Sequence, residues 1–282
     1  MLRKLLKYEF RATGKIMGPV LCASLFASVF GFFLFFALRD PRMVPALAGK
    51  QPALSFALDT LLGILAFFTY VVGFSTIVVT VFILLRRFYR NFFTDEGYLT
   101  FTLPVSTHSL LWAKIVSGFV WTMLGLMADA VCVFSLFLAI AEPEESVLDW
   151  IRDMWLGLKE TLLATFGKTD TTGILVEIAL TVIVSVLYQL MLYYLAMSLG
   201  SMIAKKHKIW AAIGMYFVIN TVVGWIEMLS MLSFMPSVFL SAGDVSAVTS
   251  DMLLVASFVS LAVGAGEYFL TNAILKKKLN LN

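Results

Sequence analysis

Two histidines and two cysteines among 282 residues leave little to build a metal or redox centre from. His108 and His207 are too isolated for a zinc site with three protein ligands, and no H-E-x-x-H occurs. Cys22 and Cys132 both fall inside apolar runs, which argues against a disulfide framework and for small buried side chains. No serine sits in G-x-S-x-G. The tripeptide Gly167, Lys168, Thr169 resembles the end of a phosphate-binding loop, but Leu162 occupies the place of the required glycine. The residues therefore offer no catalytic group, no metal site and no cofactor site, and the chain does not read as an enzyme.

Charge is scarce as well. Only 14% of the residues are charged against 60% hydrophobic, with a mean hydropathy of +0.92. A water-soluble domain of that composition would expose apolar patches that drive association, so the chain reads as an integral membrane protein. The net charge of +3 is small and the basic residues cluster at the ends of apolar runs. That pattern excludes nucleic acid as a partner and favours anionic lipid.

What is present is a series of long apolar runs. Residues 1–16 form an amphipathic interfacial helix, with Leu2, Leu5, Leu6 and Phe10 at helical spacing and Arg3, Lys4, Lys7 and Arg11 on other faces. Gly14, Gly18 and Pro19 then allow a bend. Residues 17–38 are long enough to cross a hydrocarbon core, which needs about 20 helical residues. Pro41, Pro45 and Pro52 mark residues 39–57 as an irregular loop. Further spans are expected at 58–85, 110–140, 173–203, 209–235 and 252–275. Pro236, Gly243 and several serines make 236–251 a loop, with Ser250 or Asp251 capping the last span. The expected fold is an all-α integral membrane protein, with six transmembrane helices in residues 17–282 behind the interfacial helix.

Short cytoplasmic loops carry the excess of Lys and Arg. With the amino terminus inside, the inner segments hold Arg3, Lys4, Lys7, Arg86, Arg87, Arg90, Lys114, Lys205, Lys206, Lys208 and Lys276 among others, and the outer ones far fewer. Both termini are thus expected in the cytoplasm and the chain in the plasma membrane. Residues 141–172 become an outer amphipathic segment. There Val147, Ile151, Met154, Leu158, Leu162 and Phe166 recur at helical spacing, which suits an interfacial anchor better than a substrate lid.

Ionisable groups inside a membrane are costly and count as functional candidates. Apart from Asp59 at the very start of the second span, four carboxylic acids lie within spans. Counting along the helices puts Glu177 and Glu227 near the outer surface, where they can snorkel or face water. It puts Asp129 near the midplane and Glu267 in the inner half. Asp129 is a pathway or helix-pairing candidate, weighed against a hydrogen-bonded structural acid. The neutral polar residues Gln189, Tyr188, Tyr193, Tyr194 and Asn220 suit hydrogen bonding between helices.

The stretch from Arg86 to Lys114, RRFYRNFFTDEGYLTFTLPVSTHSLLWAK, mixes basic, acidic and aromatic residues between two apolar runs. Arg86 to Phe93 can prolong the preceding span, Pro104 can stop one element and Ser106 cap the next. Phe88, Tyr89, Phe92 and Tyr98 offer aromatic anchors for a protein interface. Asp95 and Glu96 would be repelled by anionic headgroups, which favours a cytoplasmic docking loop over a segment lying on lipid.

The segment DEGYLTFTLPVSTHSLLWAK resembles the loop before the third span in bacterial permease subunits of the ABC type-2 exporter family, and the opening KLLKYEFRATGKI resembles that family's amino terminus. The turn Asp95, Glu96, Gly97 and the run Leu103, Pro104, Val105, Ser106 carry the likeness. The chain departs from the family in placing its sizeable outer segment between spans three and four. The resemblance implies a subunit that binds no nucleotide itself. Its partners would be an ABC ATPase subunit holding ATP and magnesium and a second permease, identical or similar. Docking would fall on Arg86, Arg87, Phe88, Tyr89, Phe92, Asp95, Glu96, Gly97, Tyr98, Leu103, Pro104 and Ser106. The cargo would be a peptide, lipid or hydrophobic drug. An ion-coupled secondary transporter using Asp129 or Glu267, and an antimicrobial-peptide immunity or sensing protein, are the alternatives.

Overall fold

A computed structural model describes residues 2–39, 52–102, 104–140, 147–167, 170–204, 206–233 and 245–279. Every regular element among them is helical: α1 (Leu2–Arg39), α2 (Pro52–Phe93), α3 (Asp95–Thr102), α4 (Thr107–Ile140), α5 (Val147–Phe166), α6 (Thr171–Ile203), α7 (Lys208–Leu232) and α8 (Val245–Leu279). Six of these, all but α3 and α5, contain stretches long and apolar enough to cross a membrane. The chain is an all-α, multi-pass membrane protein, because helices satisfy their own backbone groups where water cannot.

Three expectations about element ends are corrected. The amino-terminal segment is not a short helix hinged to a span, since α1 runs unbroken through Gly14, Gly18 and Pro19. Gly14 fits there because the Trp121 ring lies against it, 3.4 Å from where a β-carbon would stand. Pro19 removes one amide donor from the ladder, a loss that helices in a membrane accommodate. Second, α2 starts at Pro52, which stands at the first helical position, where its missing N–H is no loss. Third, α8 begins at Val245, so neither Ser250 nor Asp251 is its cap. The remainder of the expected loops, residues 40–51 and 234–244, lies outside the described residues.

The chain divides into two compact units. The larger comprises residues 1–6, 85–119 and 147–282. Within it α6 packs against both α7 and α8, and α5 packs on α8 and α6. Gly200 is the contact point of α6 with α7. A β-carbon there would stand 2.3 Å from the Ala212 amide nitrogen, so only glycine permits the approach. Asp170 caps α6, accepting from the amides of Thr172 (3.0 Å) and Gly173 (3.1 Å). Polar links across helices follow the expectation for residues without water. Gln189 donates to the Tyr216 hydroxyl at 3.2 Å, and Ser260 donates to Glu227 Oε1 at 3.2 Å.

The second unit comprises residues 7–84 and 120–146. Trp121 Nε1 donates to Thr13 Oγ1 at 2.8 Å, linking α4 to α1, and Cys132 Sγ donates to the Thr69 carbonyl at 3.2 Å, linking α4 to α2. Both cysteines are free; Cys132 is buried as expected, whereas Cys22 is exposed, because an apolar run does not fix which face of its helix is packed.

Candidate functional site

The Arg86 to Lys114 stretch belongs to the larger unit and is built as helix, turn, helix. α2 continues through Phe93, so the basic end of the second span is an extension of that span, and α3 follows after a single residue. The turn is tight. The Gly97 amide donates to the Thr94 carbonyl at 2.8 Å, and Thr94 Oγ1 donates to the Arg90 carbonyl at 2.5 Å. Gly97 is buried, and a β-carbon there would stand 2.9 Å from the Phe92 carbonyl oxygen, which fixes glycine at this position. Arg90 Nε donates to Glu96 Oε1 at 2.7 Å, an ion pair that ties α3 back to α2.

At the far end of the stretch Ser106 caps α4 as expected, its Oγ accepting from the Ser109 amide at 3.3 Å. His108 then joins α4 to α8. Asn272 Nδ2 lies 3.1 Å from His108 Nε2, and the Tyr268 hydroxyl lies 2.7 Å from His108 Nδ1. An amide nitrogen only donates, so Nε2 accepts and Nδ1 carries the proton toward the tyrosine. Lys114 is buried, not a free surface charge. With the Asn91 amide turned to suit both its neighbours, the amide oxygen accepts from Lys114 Nζ at 2.5 Å and its nitrogen donates to the Arg87 carbonyl at 3.3 Å.

Phe88 and Phe92 correct the expectation that the aromatic residues form an exposed interface. Phe88 has no exposed surface and Phe92 only 2%. Phe88 stacks on Tyr194 of α6 with ring centroids 4.3 Å apart, and Phe92 meets Phe101 of α3 at 5.7 Å. Tyr194 in turn donates to the Lys114 carbonyl at 3.3 Å. Tyr89 is half-buried against this same core. These rings fasten the loop to the bundle. Arg86, Arg90, Thr94, Pro104 and Ser106 remain exposed, with Arg87 and Glu96 partly so. Asp95 and Tyr98 stand on α3, and Leu103 lies outside the described residues.

The four acids of the spans separate. Glu177 is buried, against the expectation that it faces water. Counting residues gives its height along α6 but not its rotation, and its side turns into the packed unit. Glu227 is half-buried and bonded to Ser260. Glu267 is 3% exposed, and neither of its carboxylate oxygens has a hydrogen-bond partner among the described residues. Asp129 belongs to the second unit, and both its oxygens likewise lack a partner there. It borders a cleft of about 210 Å³ whose walls include Tyr70, Phe74, Ile77, Cys132 and Val133.

Distance along the chain hid His108, Tyr268 and Asn272, since 160 or more residues separate the histidine from its partners. Among the described residues no group of three or more His, Cys, Asp or Glu side chains is placed to hold a metal ion. The molecule is thus a multi-pass helical membrane protein with a braced polar loop and, among the described residues, two acids within its long apolar helices whose oxygens lack a hydrogen-bond partner. No protein-family model matches the chain, nor does any curated protein or solved structure.

Proposed function

We propose that this chain is the transmembrane permease subunit of an ATP-driven exporter of the ABC type-2 kind, working beside a second permease copy or homologue. One observation carries the proposal: the short helix α3 is fastened to α2 by the buried Phe92 ring against Phe101 and by the Arg90–Glu96 pair, while charged and polar residues of the surrounding stretch remain exposed. A loop that transmits force needs both properties. Phe88, Phe92 and Gly97 make the connection stiff, and Arg86, Arg90, Glu96, Pro104 and Ser106 present a surface. The excess of Lys and Arg in the same set of loops supports a cytosolic position, where the paired ATPase subunits would hold ATP and magnesium and close on each other. The carried substrate is a peptide, lipid or hydrophobic drug.

Co-purification with an ABC ATPase subunit tests this, and it is expected to fail for the variant Asp95→Lys with Glu96→Lys. An association indifferent to substitutions throughout residues 86–106 would refute the docking role. Glu267 and Asp129 favour a second reading, an ion-coupled transporter, because unpartnered buried acids are suited to binding ions. Transport by the lone chain in liposomes, abolished by an uncoupler, would select it.

A further inference from the structure

We infer that the cleft bordered by Asp129 binds lipophilic organic cations, small ammonium groups carried on an aromatic or alkyl body. This deepens the exporter proposal by naming its substrate class, and it concerns a site the docking loop does not share.

The cleft combines three recognition elements. Its walls are apolar, from Ile77 and Val133. Its aromatic lining comes from Tyr70 and Phe74, which are 58% and 61% exposed and therefore free to meet a ligand. Its single carboxylate is Asp129, whose two buried oxygens have no hydrogen-bond partner among the described residues. Neighbouring donors are committed elsewhere. Cys132 Sγ donates to the Thr69 carbonyl, and Ser75 and Thr76 both donate to the Val72 carbonyl. A carboxylate left without donors in apolar surroundings is complementary to a cation that brings its own apolar body, and aromatic faces add cation–π attraction. Gly73 lines the same wall, and a β-carbon on it would crowd Cys132 Sγ at 3.1 Å, so glycine permits the close approach of α2 to α4 beside the acid.

Depth separates two sources of this chemistry. Asp129 lies fifteen residues beyond Lys114 on α4, about 22 Å at ~1.5 Å per residue. A choline headgroup is tethered to a lipid anchored at the surface, whereas a free cation carries no such tether and reaches the acid only if the cleft itself offsets the cost of burying its charge.

The test uses the full chain in nanodiscs and equilibrium dialysis, corrected for uptake by protein-free discs. The probes are benzyltrimethylammonium and its neutral isostere neopentylbenzene. The cation is expected to bind on the order of tenfold or more tightly than the isostere, with the preference lost in Asp129→Asn. Phe74→Leu, which removes a ring face while keeping an apolar side chain, is expected to weaken the cation about threefold. Equal binding of the two probes by the unmodified chain would overturn the inference without any variant, as would a preference unchanged in both variants. Cation affinity that drops when phosphatidylcholine replaces phosphatidylethanolamine in the discs, with surface charge unchanged, would make the choline headgroup the occupant and also overturn it. No ATPase is present, so loss of the ATPase association and loss of cation binding remain separate outcomes.

Discussion

Phe88 at the end of α2 and Tyr194 in the middle of α6 stack with ring centroids 4.3 Å apart and planes only 14° from parallel. The pair closes the core beneath the polar loop, together with Phe92, Leu111, Ile115 and Leu275. Phe88→Ala is expected to destabilise the purified protein by about 3 kcal/mol, because the ring is wholly enclosed and its neighbours are held by helices on several sides. Tyr194→Phe keeps the stack and removes the hydroxyl with its bond to the Lys114 carbonyl, for a loss of about 1 kcal/mol. Thermal or denaturant unfolding in detergent would rank the two. Equal effects would mean that the ring stack contributes nothing beyond the hydroxyl.

Gly97 is held against the carbonyl of Phe92, so the α2 to α3 turn has no room for a side chain. Gly97→Ala should push α3 away from α2 at a cost of about 1–3 kcal/mol. Limited proteolysis gives a local readout: cleavage within residues 94–106 should accelerate in the variant while cleavage elsewhere is unchanged. A variant as resistant as the parent in this segment would show that the turn relaxes without cost.

The Arg90 and Glu96 side chains are 63% and 45% exposed, so their ion pair sits largely in water and contributes less than about 1 kcal/mol. Glu96→Gln should leave the unfolding transition almost unmoved. If the outer face of α3 is a docking surface, the same substitution should weaken ATPase association several-fold. A parallel fall in both quantities would instead assign Glu96 to the fold.

Much of the helix plan was legible because apolar runs of this length have few alternatives in a membrane. The carboxy-terminal ends of α2 and α6, the helix Val147–Phe166 and the Ser106 cap all follow from local residue chemistry. What local chemistry does not supply is rotation and partnership. Gly14 and Pro19 read as breakers because nothing near them in sequence reveals that Trp121 fills the space beside Gly14. Phe88 and Phe92 read as interface because the second span is apolar on every side, so its pattern does not tell which face is inward. Glu177 shows the same limit, since its spacing along the chain does not tell that its side chain is buried. His108 stands in sequence as an isolated imidazole, and its partners Tyr268 and Asn272 arrive from the last helix.

Helix caps allow a comparison between the two ends of the chemistry. Ser106 caps α4 with one amide bond, while Asp170 caps α6 with two and adds a negative charge at the helix's positive end. Ser106→Ala should cost about 1 kcal/mol and Asp170→Ala nearer 2 kcal/mol. Asp170→Asn, which keeps one acceptor oxygen, should recover part of the loss. Denaturant unfolding of the three variants would order them, and a Ser106 effect larger than that of Asp170 would contradict this account of the caps.

The placement of α3 relative to the membrane decides whether a docking partner can reach it at all. Glu160 on α5 and Arg90 on α2 are both exposed, and positive-inside asymmetry assigns them to opposite sides. In a background with Cys22 and Cys132 replaced by alanine, Glu160→Cys should react with a membrane-impermeant maleimide on intact cells, and Arg90→Cys only after permeabilisation. The free cysteines make that background necessary, since Cys22 is itself exposed. Labelling of Arg90→Cys from outside would turn the polar loop away from any cytosolic ATPase. The buried Phe88 and Tyr194 stack would then brace an extracellular element, and the exporter proposal would fail with it.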